Sequence, residues 1–94
     1  MYQEISIIEN NDNLTTRLRG IFEKENDYIF NCIDSQNILD GIKSIPDLII
    51  IDEDNINEDI IDVCSLIRNY SDNSITPIMV ISSNIDKQHR LEVL

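Results

Sequence analysis

Apolar residues occur in short runs separated by acidic and asparagine-rich stretches, and their periodicity alternates along the chain. Ile5-Ser6-Ile7-Ile8 stops abruptly at Glu9-Asn10-Asn11-Asp12-Asn13, which predicts a buried strand running into a polar loop. Leu14, Leu18, Ile21 and Phe22 then fall on one face of a helix, with Asp12 or Asn13 as its cap, and Lys24-Glu25-Asn26-Asp27 closes it. Tyr28 to Ile33, β-branched and aromatic, predicts a second strand. Asp34-Ser35 opens a second helix with Ile38, Leu39, Ile42 and Ile45 on its apolar side, and Pro46 ends it. Leu48-Ile49-Ile50-Ile51, set between Asp47 and Asp52, has no alternation and predicts a strand covered on both faces. Ile60, Val63, Cys64 and Ile67, with Tyr70 one turn on, mark a third helix. Pro77 to Ile81 is a fourth buried strand, and residues 86–94 a last helix anchored by Leu91 and Leu94.

The order βαβαβαβα with short connections predicts an α/β fold, a doubly wound parallel sheet with helices on both faces. Ninety-four residues suffice for one domain, 1–94, and not for two. Eighteen acidic against seven basic residues give a net charge of −11, which removes the basic footprint that direct nucleic-acid binding needs. No apolar run approaches the roughly 20 residues of a membrane span, and the N-terminus lacks a secretory pattern. Cys32 and Cys64 sit in apolar segments without ligand-like spacing and are expected to be buried thiols of a cytoplasmic protein.

Ligands of doubly wound sheets bind beyond the carboxyl ends of the strands. Those ends carry Glu9-Asn10, Asp52 and Ser82-Ser83, an oxygen-rich and acidic set suited to a hard cation such as Mg²⁺. An aspartate beside such a cation stays ionised and can act as a nucleophile. Gly20 and Gly41 are the only glycines and form no phosphate-binding loop. Taken singly, Glu9 or Asp12 at a strand end reads as a solvated loop residue or helix cap. Asp52, directly after four apolar residues, is the functional candidate.

With these residues in view, the sequence resembles the receiver domain of bacterial two-component response regulators. Residues 5–14 resemble the family's first strand and acidic loop. Pro46-Asp47-Leu48-Ile49-Ile50-Ile51-Asp52 is similar to the segment that ends in the phosphorylated aspartate. Residues 59–68 resemble the third helix, and Thr76-Pro77-Ile78-Met79-Val80-Ile81-Ser82-Ser83 the fourth strand and its hydroxyl. The resemblance implies a flavodoxin-like strand order 2-1-3-4, with the fifth βα unit missing and the domain C-terminally incomplete. It implies that Asp52 accepts a phosphoryl group from a sensor histidine kinase. Mg²⁺ would be held by Glu9, Asn10, Asp52 and the backbone carbonyl of Asp54, while Ser82 contacts the phosphoryl group and small Ser83 keeps access open. Such a chain is a switch for an attached output domain absent from this sequence, and not an enzyme.

Three positions depart from the family pattern. Asn10 stands where a second acidic ligand is usual, Ile56 replaces a proline, and no lysine (Lys24, Lys43 or Lys87) fits the family's catalytic lysine. The resemblance further implies that strand 77–82 is an exposed edge open to homodimerisation or domain swapping. Two other readings compete. One is a phosphorylation-defective pseudo-receiver that serves as an interaction module. The other is a haloacid-dehalogenase-like phosphatase, suggested by the Asp-x-Asp of Asp52-Glu53-Asp54.

Overall fold

A computed structural model describes residues 2–42, 45–69 and 76–83. Strands β1 (Gln3–Ile8), β2 (Tyr28–Ile33), β3 (Leu48–Asp52) and β4 (Ile78–Ile81) form one sheet, every pairing parallel, in the order β2-β1-β3-β4. Helices α1 (Asn13–Ile21), α2 (Ile38–Gly41) and α3 (Ile60–Asn69) connect them. The expected strand order is therefore present. Main chain and side chain of Asp47 pair reciprocally with the main chain of Glu4, the Glu4 N–H donating to Oδ2 at 2.7 Å and the Asp47 N–H donating to the Glu4 carbonyl at 2.8 Å. That clamp holds β1 and β3 together at the end of the sheet remote from Asp52.

Period-two alternation along each strand sends side chains to two separate cores. Ile5, Ile7, Phe30 and Ile50 form the core on one face, against Leu14, Leu18 and Phe22 of the α1 segment. Ile8, Ile33, Ile49, Ile51 and Ile78 form the other, with Ile38 and Ile42 and with Ile60, Val63, Cys64 and Ile67 of α3. The four α3 residues are those that the helical spacing predicts. Ile56, standing where a proline was expected, packs against this second core, so an apolar contact anchors the turn after β3.

Several expectations need correction. The second helix is reduced to a 3₁₀ turn (Ser35–Asn37) and the four-residue α2. The Asp34 carboxylate accepts from the Gln36 N–H at 2.8 Å and draws the chain into that tighter turn. A Cβ on Gly41 would lie 2.6 Å from Ile33, so the short helix approaches β2 closely only because residue 41 is glycine. Ile38 and Ile42 are buried, whereas Leu39 and Ile45 lie exposed. In α1 the chain turns at Phe22 to bring its ring beside Tyr28 and Phe30, which leaves Ile21 outside at 66% exposure. β4 is only half covered: Ile78 is buried, while Met79 and Ile81 on this outer strand are exposed. Cys32 is exposed, and only Cys64 is buried. The expected last helix at 86–94, Tyr70, Lys43 and Lys87 lie outside the described residues.

Candidate functional site

Glu9 follows β1 and is almost completely buried, 1% exposed. Its carboxylate completes the N-terminus of α1: Oε1 accepts from the Leu14 N–H at 3.2 Å, and Oε2 from the Thr15 N–H at 2.8 Å and the Thr15 hydroxyl at 2.7 Å. Asn11 Oδ1 takes the Asn13 N–H at 3.1 Å. The free donors of the first turn are thus satisfied from the preceding loop, and a negative charge sits at the positive end of the helix. Asp12, one of the two expected caps, occupies the cap position without a side-chain bond, and Asn13 is the first residue of the helix.

Asn10 is held on the other side. Its Oδ1 accepts from the Ser35 N–H at 3.1 Å and the Ser35 hydroxyl at 2.8 Å, and the same hydroxyl lies 2.5 Å from Glu58 Oε1. One hydroxyl proton serves two acceptors here, so Ser35 links the β1 loop to the approach to α3.

Asp52 is the last residue of β3 and is 8% exposed. Its Oδ2 accepts from Asn55 Nδ2 at 2.6 Å. Asn55 in turn takes a bond from Asn11 Nδ2 at 3.0 Å and, at its main-chain carbonyl, from the Asn10 N–H at 2.9 Å. Asn55 therefore fastens the 3₁₀ turn Glu53–Asn55 to the β1 loop and orients the aspartate. Asp54 is exposed, and its carboxylate reaches across to the end of β4. There Oδ2 accepts from the Ser83 N–H at 2.7 Å and Oδ1 from the Ser82 hydroxyl at 3.4 Å. Asp52, Asp54 and Asn55 line an open cavity of about 280 Å³ with Asn13, Leu14, Arg17 and Ile81.

Of the residues expected to act together, Asp52 and Asp54 share the cavity wall, and the Asp54 carboxylate bonds Ser82 and Ser83. Glu9 and Asn10 flank the site with their side-chain oxygens committed elsewhere. Asn55, Ser35 and Thr15 carry polar contacts that the sequence reading did not single out, since isolated Asn, Ser and Thr residues in loops have no distinguishing pattern. Among the described residues, no group of three or more His, Cys, Asp and Glu side chains is arranged to hold a metal. The donors left at the cavity are nonetheless all oxygen, and Mg²⁺ commonly uses one or two carboxylates with water and phosphate completing its shell. The Asp52 carboxylate on the cavity wall suits that pattern, while the Glu9 and Asn10 side-chain oxygens accept hydrogen bonds from Leu14, Thr15 and Ser35.

Cys32 lies beside the loop after β1, its thiol 3.7 Å from the Asn11 carbonyl and 3.9 Å from that of Glu9. Partial burial pushes its pKa up, a hydrogen bond with Thr15 opposes this, and the charges of Glu9 and Asp12 add to the rise. Burial also raises Cys64. A raised pKa means less thiolate at a given pH, so at about pH 8 Cys32 should alkylate more slowly than a free thiol despite its exposure. Cys64 should alkylate only on unfolding. An iodoacetamide time course with peptide mapping checks both, and a Cys32 rate equal to free cysteine would contradict the first.

No protein-family model and no curated protein matches the sequence. Among solved structures, the chemotaxis response regulator CheY4 of Vibrio cholerae matches with a TM-score of 0.77 at 15% identity, over 99% of this chain and 81% of that one. The fold is the response-regulator receiver fold. At this identity the likeness establishes architecture, a flavodoxin-like parallel sheet of the receiver type. In the receiver fold of this chain, Asp52 stands at the carboxyl end of an inner strand, where doubly wound sheets place their ligands. No helix among the described residues is long and apolar enough to cross a membrane.

Proposed function

We propose that the chain is a phosphoacceptor switch that takes a phosphoryl group from a sensor histidine kinase onto Asp52 and signals to an output domain. The observation that carries this reading is the nearly buried Asp52 carboxylate at the end of β3 in a receiver-fold sheet, in the wall of a cavity of about 280 Å³. In the transfer, an Asp52 oxygen attacks phosphorus and forms the O–P bond of an acyl phosphate. The P–N bond to the donor imidazole breaks, and that nitrogen keeps the electron pair. The Asn55 amide holds the carboxylate in place through Oδ2. Asp52 and the Asp54 carbonyl would hold Mg²⁺, which when bound neutralises charge on the transferring oxygens.

Asp54 supplies the switch. A phosphoryl group on Asp52 carries about −1.5 to −2 of charge in place of the −1 carboxylate, a net gain of about −0.5 to −1 beside the Asp54 carboxylate, and offers new acceptors to the Ser82 hydroxyl and the Ser83 N–H. Exchange of those bonds from Asp54 to the phosphoryl oxygens shifts the chain after β4, a two-state change biased by charge-assisted hydrogen bonds.

Incubation with acetyl phosphate and Mg²⁺ followed by intact mass tests the reading. One phosphoryl adduct is expected on the protein, removable by hydroxylamine and absent from Asp52→Asn. No adduct on the parent protein would sink the phosphoacceptor reading. It would leave the pseudo-receiver interaction module, which the committed side chains of Glu9 and Asn10 favour. Steady turnover of p-nitrophenyl phosphate would instead support a phosphatase.

A further inference from the structure

The cavity beside Asp52 has an asymmetry of charge that the phosphoacceptor reading does not use. Of its seven lining residues, Asp52 and Asp54 are anionic and Arg17 alone is cationic, in a chain of net charge −11. A phosphoryl donor approaching this site is itself an anion, and two carboxylates repel it.

The fold places Arg17 against that problem. Alternation along β3 puts Asp52 on the same side of the sheet as Leu48 and Ile50, which pack in the core that α1 covers. On α1, Arg17 follows Asn13 by four residues and Leu14 by three, so all three share the face that borders the cavity. Helical side chains lean toward the N-terminus of their helix, and the N-terminus of α1 lies at the Glu9–Asn13 loop, beside the carboxyl ends of the strands. The Arg17 head group is therefore directed toward the end of the sheet that carries Asp52.

Its bonding also sets it apart. Arg19 spends its guanidinium on the Phe30 carbonyl, with Nη2 at 2.6 Å and Nε at 3.2 Å, and Arg68 donates to the Thr76 carbonyl. The Arg17 guanidinium makes no hydrogen bond or ion pair among the described residues. A guanidinium is permanently charged, and its planar fork matches two oxygens of a phosphoryl group.

We infer that Arg17 recognises the phosphoryl group at this site, its guanidinium donating to the non-bridging oxygens of the group on, or arriving at, Asp52. This rests on the phosphoacceptor reading and names a phosphoryl-binding residue of that site. Arg17 makes hydrogen bonds only: transfer from acetyl phosphate forms the Asp52 O–P bond and breaks the P–O bond to acetate, which leaves with the electron pair.

The test follows labelling of the full chain by acetyl phosphate with Mg²⁺, by intact mass over time, for the parent, Arg17→Gln, Arg17→Lys and Lys24→Gln. Loss of charge-assisted bonds should slow Arg17→Gln roughly 10- to 100-fold and raise the acetyl phosphate concentration it needs. Arg17→Lys should be intermediate, since a point charge replaces the fork. Lys24→Gln, with the same change in net charge, should label like the parent. Mg²⁺ affinity of Arg17→Gln should hold or tighten, because a nearby positive charge is removed; weaker Mg²⁺ binding would overturn the inference by showing a collapsed site. Labelling of Arg17→Gln at the parent rate, or equal slowing by Lys24→Gln, would overturn it while leaving Asp52 as the acceptor. A parent protein that takes no label removes the phosphoacceptor reading and this inference with it.

Discussion

Glu9→Ala should destabilise the protein by about 2–4 kcal/mol, measured by urea unfolding with divalent metal chelated. The estimate combines loss of a helix cap, typically about 1 kcal/mol and including the stranded Thr15 N–H, with about 1–3 kcal/mol for leaving the buried Thr15 hydroxyl without an acceptor. Thr15 is 0% exposed, so bulk water does not reach it to take over those bonds. Chelation decides between two roles. A carboxylate retained only to bind Mg²⁺ would repel its acidic neighbours in the metal-free protein, and its removal would be neutral or stabilising there. A carboxylate that ends a helix is needed with or without metal. Glu9→Ala combined with Thr15→Val should cost clearly less than the sum of the two single changes, since each removes the partner that the other leaves stranded. An unfolding midpoint for Glu9→Ala equal to that of the parent in chelator would refute the capping role.

Glu9 also marks where the sequence stopped being legible. Sequence signatures for helix starts look for Ser, Thr, Asp or Asn at the cap with an acid three residues further in. Here the acid lies before the loop and folds back over five and six residues to Leu14 and Thr15, a spacing with no local pattern. The four strands were readable as short apolar, β-branched runs bounded by polar residues, and the α3 face because burial on one side of a helix imposes a period of 3.6, which Ile60, Val63 and Ile67 obey. The α2 region was not, because a local side-chain bond from Asp34 and the close approach of Gly41 to Ile33 override an apparently helical spacing. At the candidate site, Asp52, Ser82 and Ser83 were visible as polar residues ending apolar runs. Asn55 was not, since its value lies in contacts to Asp52 and Asn11 that the fold alone brings together.

The same core that made β3 readable makes Ile51 the most sensitive apolar position next to the site. Ile51 is 0% exposed, pairs with Ile8 of β1 and Val80 of β4, and belongs to the core formed with α3. Ile51→Ala should cost about 2–5 kcal/mol and Ile51→Val about 0.5–1.5 kcal/mol, the difference reflecting the cavity left as well as the apolar surface lost. The upper part of the range is expected for alanine. The surrounding core side chains, Ile8, Ile49, Ile60, Val63 and Ile67, are β-branched and stiff about χ1, so they cannot easily lean in to fill the space. Against a total stability of about 5–15 kcal/mol for a domain of this kind, that loss is enough to populate unfolded chains at ambient temperature. Met79→Ala on the outer strand, where the side chain is 48% exposed, should stay within about 0.5 kcal/mol and serves as the control. Because Ile51 immediately precedes Asp52, loosening its packing should also slow acetyl phosphate labelling in the alanine variant, while the valine variant keeps most of the parent rate. Paired urea curves and labelling time courses read both effects. Alanine and valine variants of equal stability would show that β3 is not the packed support on which Asp52 stands.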